Sequence, residues 1–189
     1  MGIPKRIFDL SLSLAAIVLI APLLVAATIA VRITSVGPVL YWSERVGREN
    51  RLFWMPKFRT MRVGTPALAT HLLQNPEAFL TPIGSFFRRT SLDELPQLWS
   101  ILKGDMSFVG PRPALFNQED LILLRTQKGV QRLVPGLTGW AQVNGRDELS
   151  LEQKVALEKE YLLKKSLTVD FQILIKTFTN VLFSKGVTH

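Results

Sequence analysis

DLSLSLAAIVLIAPLLVAATIAVR, residues 9–32, decides how the chain is built, because no charged side chain stands between Asp9 and Arg32. At about 1.5 Å of helical rise per residue, Leu10 to Val31 is long enough to cross a hydrocarbon layer roughly 30 Å thick. Lys5 and Arg6 precede it, and Arg32, Arg45, Arg48, Arg51, Lys57, Arg59 and Arg62 follow. Three readings compete. A cleaved signal peptide calls for a shorter apolar stretch and a small-residue cleavage site, whereas this one is longer and ends on Arg32. A single span places a basic flank on each face, against the preference of Lys and Arg for the cytoplasmic side. A helix that enters and turns back keeps both flanks on one side, and Pro22 supplies the bend, since it has no N–H for the Val18 carbonyl and its ring crowds that oxygen. The reading is a re-entrant membrane helix over residues 1–35, broken at Pro22, and a cytoplasmic, membrane-associated domain over residues 36–189.

Composition narrows the chemistry. A chain of 189 residues holds one core of ordinary domain size, without internal repeats or low-complexity tracts. With 23 Lys and Arg against 15 Asp and Glu, the net charge of +8 favours anionic partners: phosphates, acidic lipids or nucleic acid. The absence of cysteine excludes disulfides, thiolate metal sites and cysteine nucleophiles, and two histidines, His71 and His189, read as surface residues and leave little for a histidine metal cluster.

Beyond the apolar segment the pattern predicts an α+β chain that is mostly α. Val39–Glu44 and Leu52–Phe58 read as a small β-hairpin around the charged loop 45–50. Its Arg45, Arg48 and Arg51 read as a solvated face resting on acidic headgroups, and Trp42 and Trp54 as core or interface anchors. A helix is expected from Ser91, capped by a Ser91/Glu94 box, bent by Pro96 and stopped at Gly104. Pro113–Gln131 and Ser150–Lys165 read as amphipathic, interfacial helices, and Val169–Phe183 as a core or interfacial helix.

Asp93 and Glu94 are the carboxylates in which chemistry is sought. Taken alone, acids at a helix start are ordinary, since they complement the dipole and cap the first turn. Here they stand among Arg88, Arg89, Lys103, Asp105 and the rigid turn Gly110-Pro111-Arg112-Pro113. Carboxylates that can ligate Mg²⁺ or attack phosphorus, beside guanidinium groups that pair with an anion in bidentate fashion, suit phosphoryl transfer.

Four ordered runs carry a resemblance: KFRTM (57–61), SLDELPQLW (91–99), LKGDMSFVGPRP (102–113) and PGLTGWAQVNGR (135–146). Together with the Pro-containing apolar segment they resemble the monotopic phosphoglycosyl transferases of the bacterial sugar transferase family, in the small, catalytic-domain-only form. The resemblance implies a re-entrant helix, a catalytic domain on the cytoplasmic face of the bacterial inner membrane and Mg²⁺ as cofactor. It also implies transfer of sugar 1-phosphate from a UDP-sugar to undecaprenyl phosphate, releasing UMP through a covalent phospho-sugar intermediate. On that resemblance Asp93 is the nucleophile. Glu94 assists metal binding or proton handling, so Asp93 and Glu94 are the metal residues, and Arg88, Arg112, Lys57 and Arg59 meet phosphate. Glu158 stands near an acidic family position that is commonly Asp.

The run 135–146 has two readings: tight turns at Gly136, Gly139 and Gly145 with Trp140 packed, or a nucleotide or sugar pocket built from Trp140, Gln142, Asn144 and Arg146, with Glu158 beside it. Two other functions compete with the transferase. An Mg²⁺-dependent membrane phosphatase differs only in using water as acceptor. A non-enzymatic, membrane-anchored anion binder explains charge and anchor but not carboxylates among arginines, which also argue against nucleic acid as a partner. The sugar, the downstream glycan and the oligomeric state are not legible in the sequence; small members of the family point toward a UDP-N-acetylhexosamine derivative.

Overall fold

The computed structural model describes residues 2–66, 75–145 and 148–182. Helix α1 (Ile3–Thr34) is one uninterrupted element that continues through Pro22 without the break expected there, since the turns on either side keep their own hydrogen bonds; Pro4 stands in its first turn, where a missing N–H is harmless. Asp9, Ser13, Ala27 and Val31 face the domain and are buried. Ile7, Leu14, Val18, Leu19, Val25 and Ile29 point outward and are exposed. The helix is long and apolar enough to cross a membrane, yet it is tied to the rest of the chain at both ends. Near its start Lys5 pairs with Asp170, and Arg6 donates to the carbonyls of Ile101 and Leu102. Just past its end, Arg59 donates to the carbonyls of Ser35 and Val36.

The expected hairpin forms, from β1 (Leu40–Val46) and β2 (Leu52–Phe58), paired antiparallel from Leu40↔Phe58 to Val46↔Leu52. Phe53 and Met55 on β2 enter the main core, while Trp42 and Trp54 are about half exposed. A third strand, β4 (Ala114–Leu115), pairs on the other edge of β1 and brings residues 110–113 beside the hairpin. Helix α2 (Gly84–Arg89) precedes a 3₁₀ turn over Leu92–Gln97, which leads into α3 (Leu98–Lys103); Gly104, at φ 96°, ends α3 as expected. A parallel pair that the periodicity does not reveal joins β3 (Ser107–Val109) to β5 (Gly136–Thr138). The remaining helices are α4 (Glu119–Gln127), α5 (Trp140–Val143), α6 (Leu151–Lys164) and α7 (Leu167–Leu182).

Two expectations are corrected. Ser91 adopts a left-handed conformation, φ 56°, and its side chain makes no capping bond, so the Ser91/Glu94 box does not exist. An N-cap needs extended backbone to turn its hydroxyl toward the third amide, and the chain has used that residue to reverse direction instead. The helix expected over 113–131 begins only at Glu119, because Ala114 and Leu115 are drawn into the sheet. At α6, by contrast, the capping box is present, with Ser150 accepting from the Gln153 amide and the Gln153 side chain accepting from the Ser150 amide. Helix α7 divides its faces: Asp170 and Ile173 are buried, while Phe171, Ile175 and Phe178 are exposed. His71, His189 and Phe183 lie outside the described residues.

Candidate active site

The 3₁₀ turn of Leu92–Gln97 packs on β2, and this brings residues far apart in sequence around Asp93 and Glu94. The Lys57 ammonium donates to Glu94 Oε1 at 2.9 Å, and Arg112 Nη2 donates to the same oxygen at 2.8 Å. Burial by itself would raise the Glu94 carboxyl, but Arg112 and Lys57 outweigh it and hold the group well below the usual carboxylate range. Glu94 is therefore a permanent anion that orients two cations.

Asp93 differs from its neighbour. It is 8 % exposed, and among the described residues no hydrogen bond or ion pair holds its carboxylate. Burial is the largest influence and raises its pKa; Lys57, Arg88 and Arg112 pull it down without cancelling that effect, and Glu94 adds to the rise. A carboxylate that is close to cations yet unbonded keeps its lone pairs available for a phosphorus atom or a metal ion. Arg88, whose Nε donates to Thr60 Oγ1 at 3.1 Å, has its own pKa lowered by burial and raised in part by Asp93. Lys57, too, is pushed down by burial against the opposing pull of Glu94.

Arg45 belongs to this cluster as well, correcting its reading as a lipid-facing surface residue. Its Nε donates to Ser43 Oγ at 2.9 Å and its Nη1 to the Pro113 carbonyl at 3.1 Å. Burial and nearby Arg112 lower its pKa to about 10. The signal was strand alternation: Arg45 lies two residues from buried Ser43 and so shares its face, while Arg48 stays in the exposed loop. Arg59 moves the other way. It is 5 % exposed, and its guanidinium binds Ser35 and Val36, so its described contacts anchor the end of α1 rather than join the Asp93 cluster. Asp105 pairs with Lys103 at 2.8 Å, and Arg89 is exposed.

The residues of the second predicted group are held elsewhere. Trp140 Nε1 donates to Glu160, with Lys176 5.0 Å above the ring. Gln142 donates to the Leu137 carbonyl and Asn144 to the Trp140 carbonyl, while Arg146 lies outside the described residues. A Cβ on Gly136 would stand 2.1 Å from the Gly110 nitrogen, and one on Gly139 would stand 2.1 Å from the Gly110 oxygen. These glycines let two backbone segments touch. Glu158 is buried and receives both Nε and Nη2 of Arg125, whose Nη2 also donates to the Arg112 carbonyl at 3.0 Å.

Among the described residues no group of three or more His, Asp or Glu gathers as a complete metal cage. Asp93 and Glu94 nonetheless fit Mg²⁺, which binds through one or two carboxylates and completes its shell with water and substrate phosphates. The open carboxylate of Asp93 is the donor such an ion requires.

Comparison with known proteins supplies the family. The bacterial sugar transferase model matches residues 2–184. The chain belongs to the bacterial sugar transferase family. Among similar members, an undecaprenyl-phosphate glucose phosphotransferase of Komagataeibacter xylinus is 38 % identical over 96 % of this chain and 36 % of its own length. A sugar transferase of Bacillus subtilis, EpsL, named as uncharacterized, is 38 % identical over 97 % of this chain and 89 % of its own. A UDP-glucose:undecaprenyl-phosphate glucose-1-phosphate transferase of Escherichia coli is 37 % identical over 92 % of this chain and 39 % of its own. The chain thus spans well under half of the longer sugar transferases and nearly all of the shorter one.

Proposed function

We propose that this sugar transferase moves a sugar 1-phosphate from a UDP-sugar to undecaprenyl phosphate, releasing UMP, in two steps through Asp93. The observation that carries the reading is the contrast within the dyad: Glu94 is neutralised by two cations, while Asp93 is buried beside them with no hydrogen bond or ion pair to its carboxylate among the described residues. In the first step an Asp93 oxygen attacks the phosphorus that bears the sugar. The bond from that phosphorus to the bridging oxygen breaks, and UMP leaves with the bridging oxygen. In the second, a phosphate oxygen of the lipid acceptor attacks the same phosphorus and the Asp93 oxygen departs, regenerating the carboxylate and yielding a polyprenyl diphosphate sugar.

Arg88, Arg112 and Lys57 supply positive charge to the diphosphate as charge shifts toward UMP. Glu94 holds Arg112 and Lys57 in register for that task. Bound at Asp93 and Glu94, Mg²⁺ would neutralise the diphosphate and the leaving phosphate. The raised pKa of Asp93 also makes it a better nucleophile once ionised. The names of the relatives put UDP-glucose and UDP-galactose beside UDP-N-acetylhexosamines in the substrate panel.

With undecaprenyl phosphate as acceptor, the first arm of the test is UMP release across that panel. UDP-sugar alone leaves a mass adduct of one phospho-sugar, and Asp93→Asn abolishes both adduct and turnover, by about 10³-fold or more. Turnover retained in the Asn variant would refute the covalent route, and sugar phosphate released to water without lipid would favour a phosphatase.

The tethers at both ends of α1 support the re-entrant arrangement as part of this reading. Lys5 and Arg6 at one end, and Ser35 and Val36 at the other, all bond to the same domain, which supports a helix that returns to the side it entered, the cytoplasmic face of the inner membrane. Cysteines introduced at residues 2 and 35 are then both protected from a periplasmic thiol reagent; labelling of one of them alone would establish a full span.

A further inference from the structure

We propose that Glu158, Arg125 and Arg45 form a clamp that fixes the turn Gly110–Pro113, and that Glu158 acts on catalysis through Arg112 without touching substrate. The inference rests on the proposed transfer reaction and concerns residues that reaction leaves unexplained. Three successive carbonyls of the turn are each held from a different part of the chain. Pro111 O accepts from the Gly136 amide at 2.8 Å, Arg112 O from Arg125 Nη2 at 3.0 Å, and Pro113 O from Arg45 Nη1 at 3.1 Å. The Gly110 amide completes the frame by donating to Thr138 O at 2.9 Å. Two prolines restrict φ within the turn, and Gly110 and Gly136 lie too close to admit a Cβ on either.

The guanidinium of Arg112 reaches outward from this frame to Glu94 at 2.8 Å. Arg112 is exposed, so close packing of the kind that fixes a core residue does not surround its side chain. Its backbone sets where the chain presents that side chain to Glu94. Arg125 can serve that backbone because Glu158, 3 % exposed, neutralises it in two-point contact, Nε to Oε2 at 2.8 Å and Nη2 to Oε1 at 2.5 Å. A buried guanidinium without a counter-ion would be forced toward water, and its bond to Arg112 O would go with it. Lysine offers no planar fork that could serve the carboxylate and the carbonyl together. Glu158 is thus a positioning residue that reaches Glu94, the chain neighbour of Asp93, through Arg125 and Arg112.

A double-mutant cycle on the full-length protein, in detergent or nanodiscs, tests this. The wild type is first shown to transfer phospho-sugar, and kcat/KM is then measured per folded molecule for Glu158→Gln, Arg112→Ala and the double variant. The clamp predicts a loss of roughly tenfold for Glu158→Gln in the wild-type background and almost none in the Arg112→Ala background, because the path already ends there. Equal losses in both backgrounds would overturn it, as would wild-type activity in Glu158→Gln. If Glu158→Gln does not fold, Arg125→Lys takes its place in the cycle with the same two outcomes. Should the wild type transfer no sugar from any UDP donor, the proposed function fails, and hydrogen exchange still decides the clamp. Faster exchange at the Arg112 and Ala114 amides in the variant supports it, and unchanged exchange refutes it.

Discussion

The turn at Leu92–Gln97 carries the expected nucleophile, and the run 135–146 was open to two readings, tight turns or a pocket; the folded chain arranges their polar groups differently. Around the first, cations arrive from β1, β2, α2 and the Gly110–Pro113 turn, and among the described residues one carboxylate is left unbonded. Within the second, Gln142 and Asn144 bond carbonyls of their own segment, and the glycines admit a neighbouring backbone. The first turn sets a carboxylate among cations; the second run commits the Gln142 and Asn144 amide donors to backbone carbonyls, with Gln142 Oε1 buried and without a hydrogen bond among the described residues.

The largest effect that tests this contrast is at Arg112. Arg112→Ala lowers kcat by roughly 10²-fold, the scale of one preorganised donor at developing charge, in a UMP-release assay with saturating lipid. A near-normal rate would make the first turn as structural as the second.

A smaller effect sharpens the account of Asp93. Its pKa stands above the ordinary 3.8 because burial outweighs the cations, and it must be ionised to attack, so the acid limb of kcat/KM lies above that value. Lys57 opposes the rise; Lys57→Met therefore moves the limb upward in a pH–rate profile. A limb that stays or moves down would show that Asp93 does not govern it. The smallest effect belongs to the second region. Gln142→Ala loses one hydrogen bond to a backbone carbonyl and about 1 kcal/mol of stability by denaturant melt, with kcat at the wild-type level. A collapse of kcat without loss of stability would turn that run into a substrate pocket.

Much of this was legible before folding. The Asp93-Glu94 pair, Arg88, Arg112 and Lys57 were singled out from the sequence, and the structure gathers them into one cluster. The exchange between Arg45 and Arg59 was not. Both lie in basic, β-prone sequence, and only the packing of β1 against the Gly110–Pro113 turn, and of Arg59 against the end of α1, separates their jobs. The Ser91 cap failed for a related reason: a composition rule assumes extended backbone at the cap, and the turn needed a left-handed residue there.

By itself the sequence determined what depends on neighbours within a few residues: the apolar helix around Leu10 to Val31, the hairpin, the helix beginning near Ser150 and the stop at Gly104. Tertiary structure alone decided which carboxylate is neutralised and which is left open. Glu94 lies 37 positions from Lys57 and 18 from Arg112, and Glu158 lies 33 from Arg125. Charges so far apart along the chain interact only after folding has brought them within hydrogen-bonding distance and removed the water that would screen them.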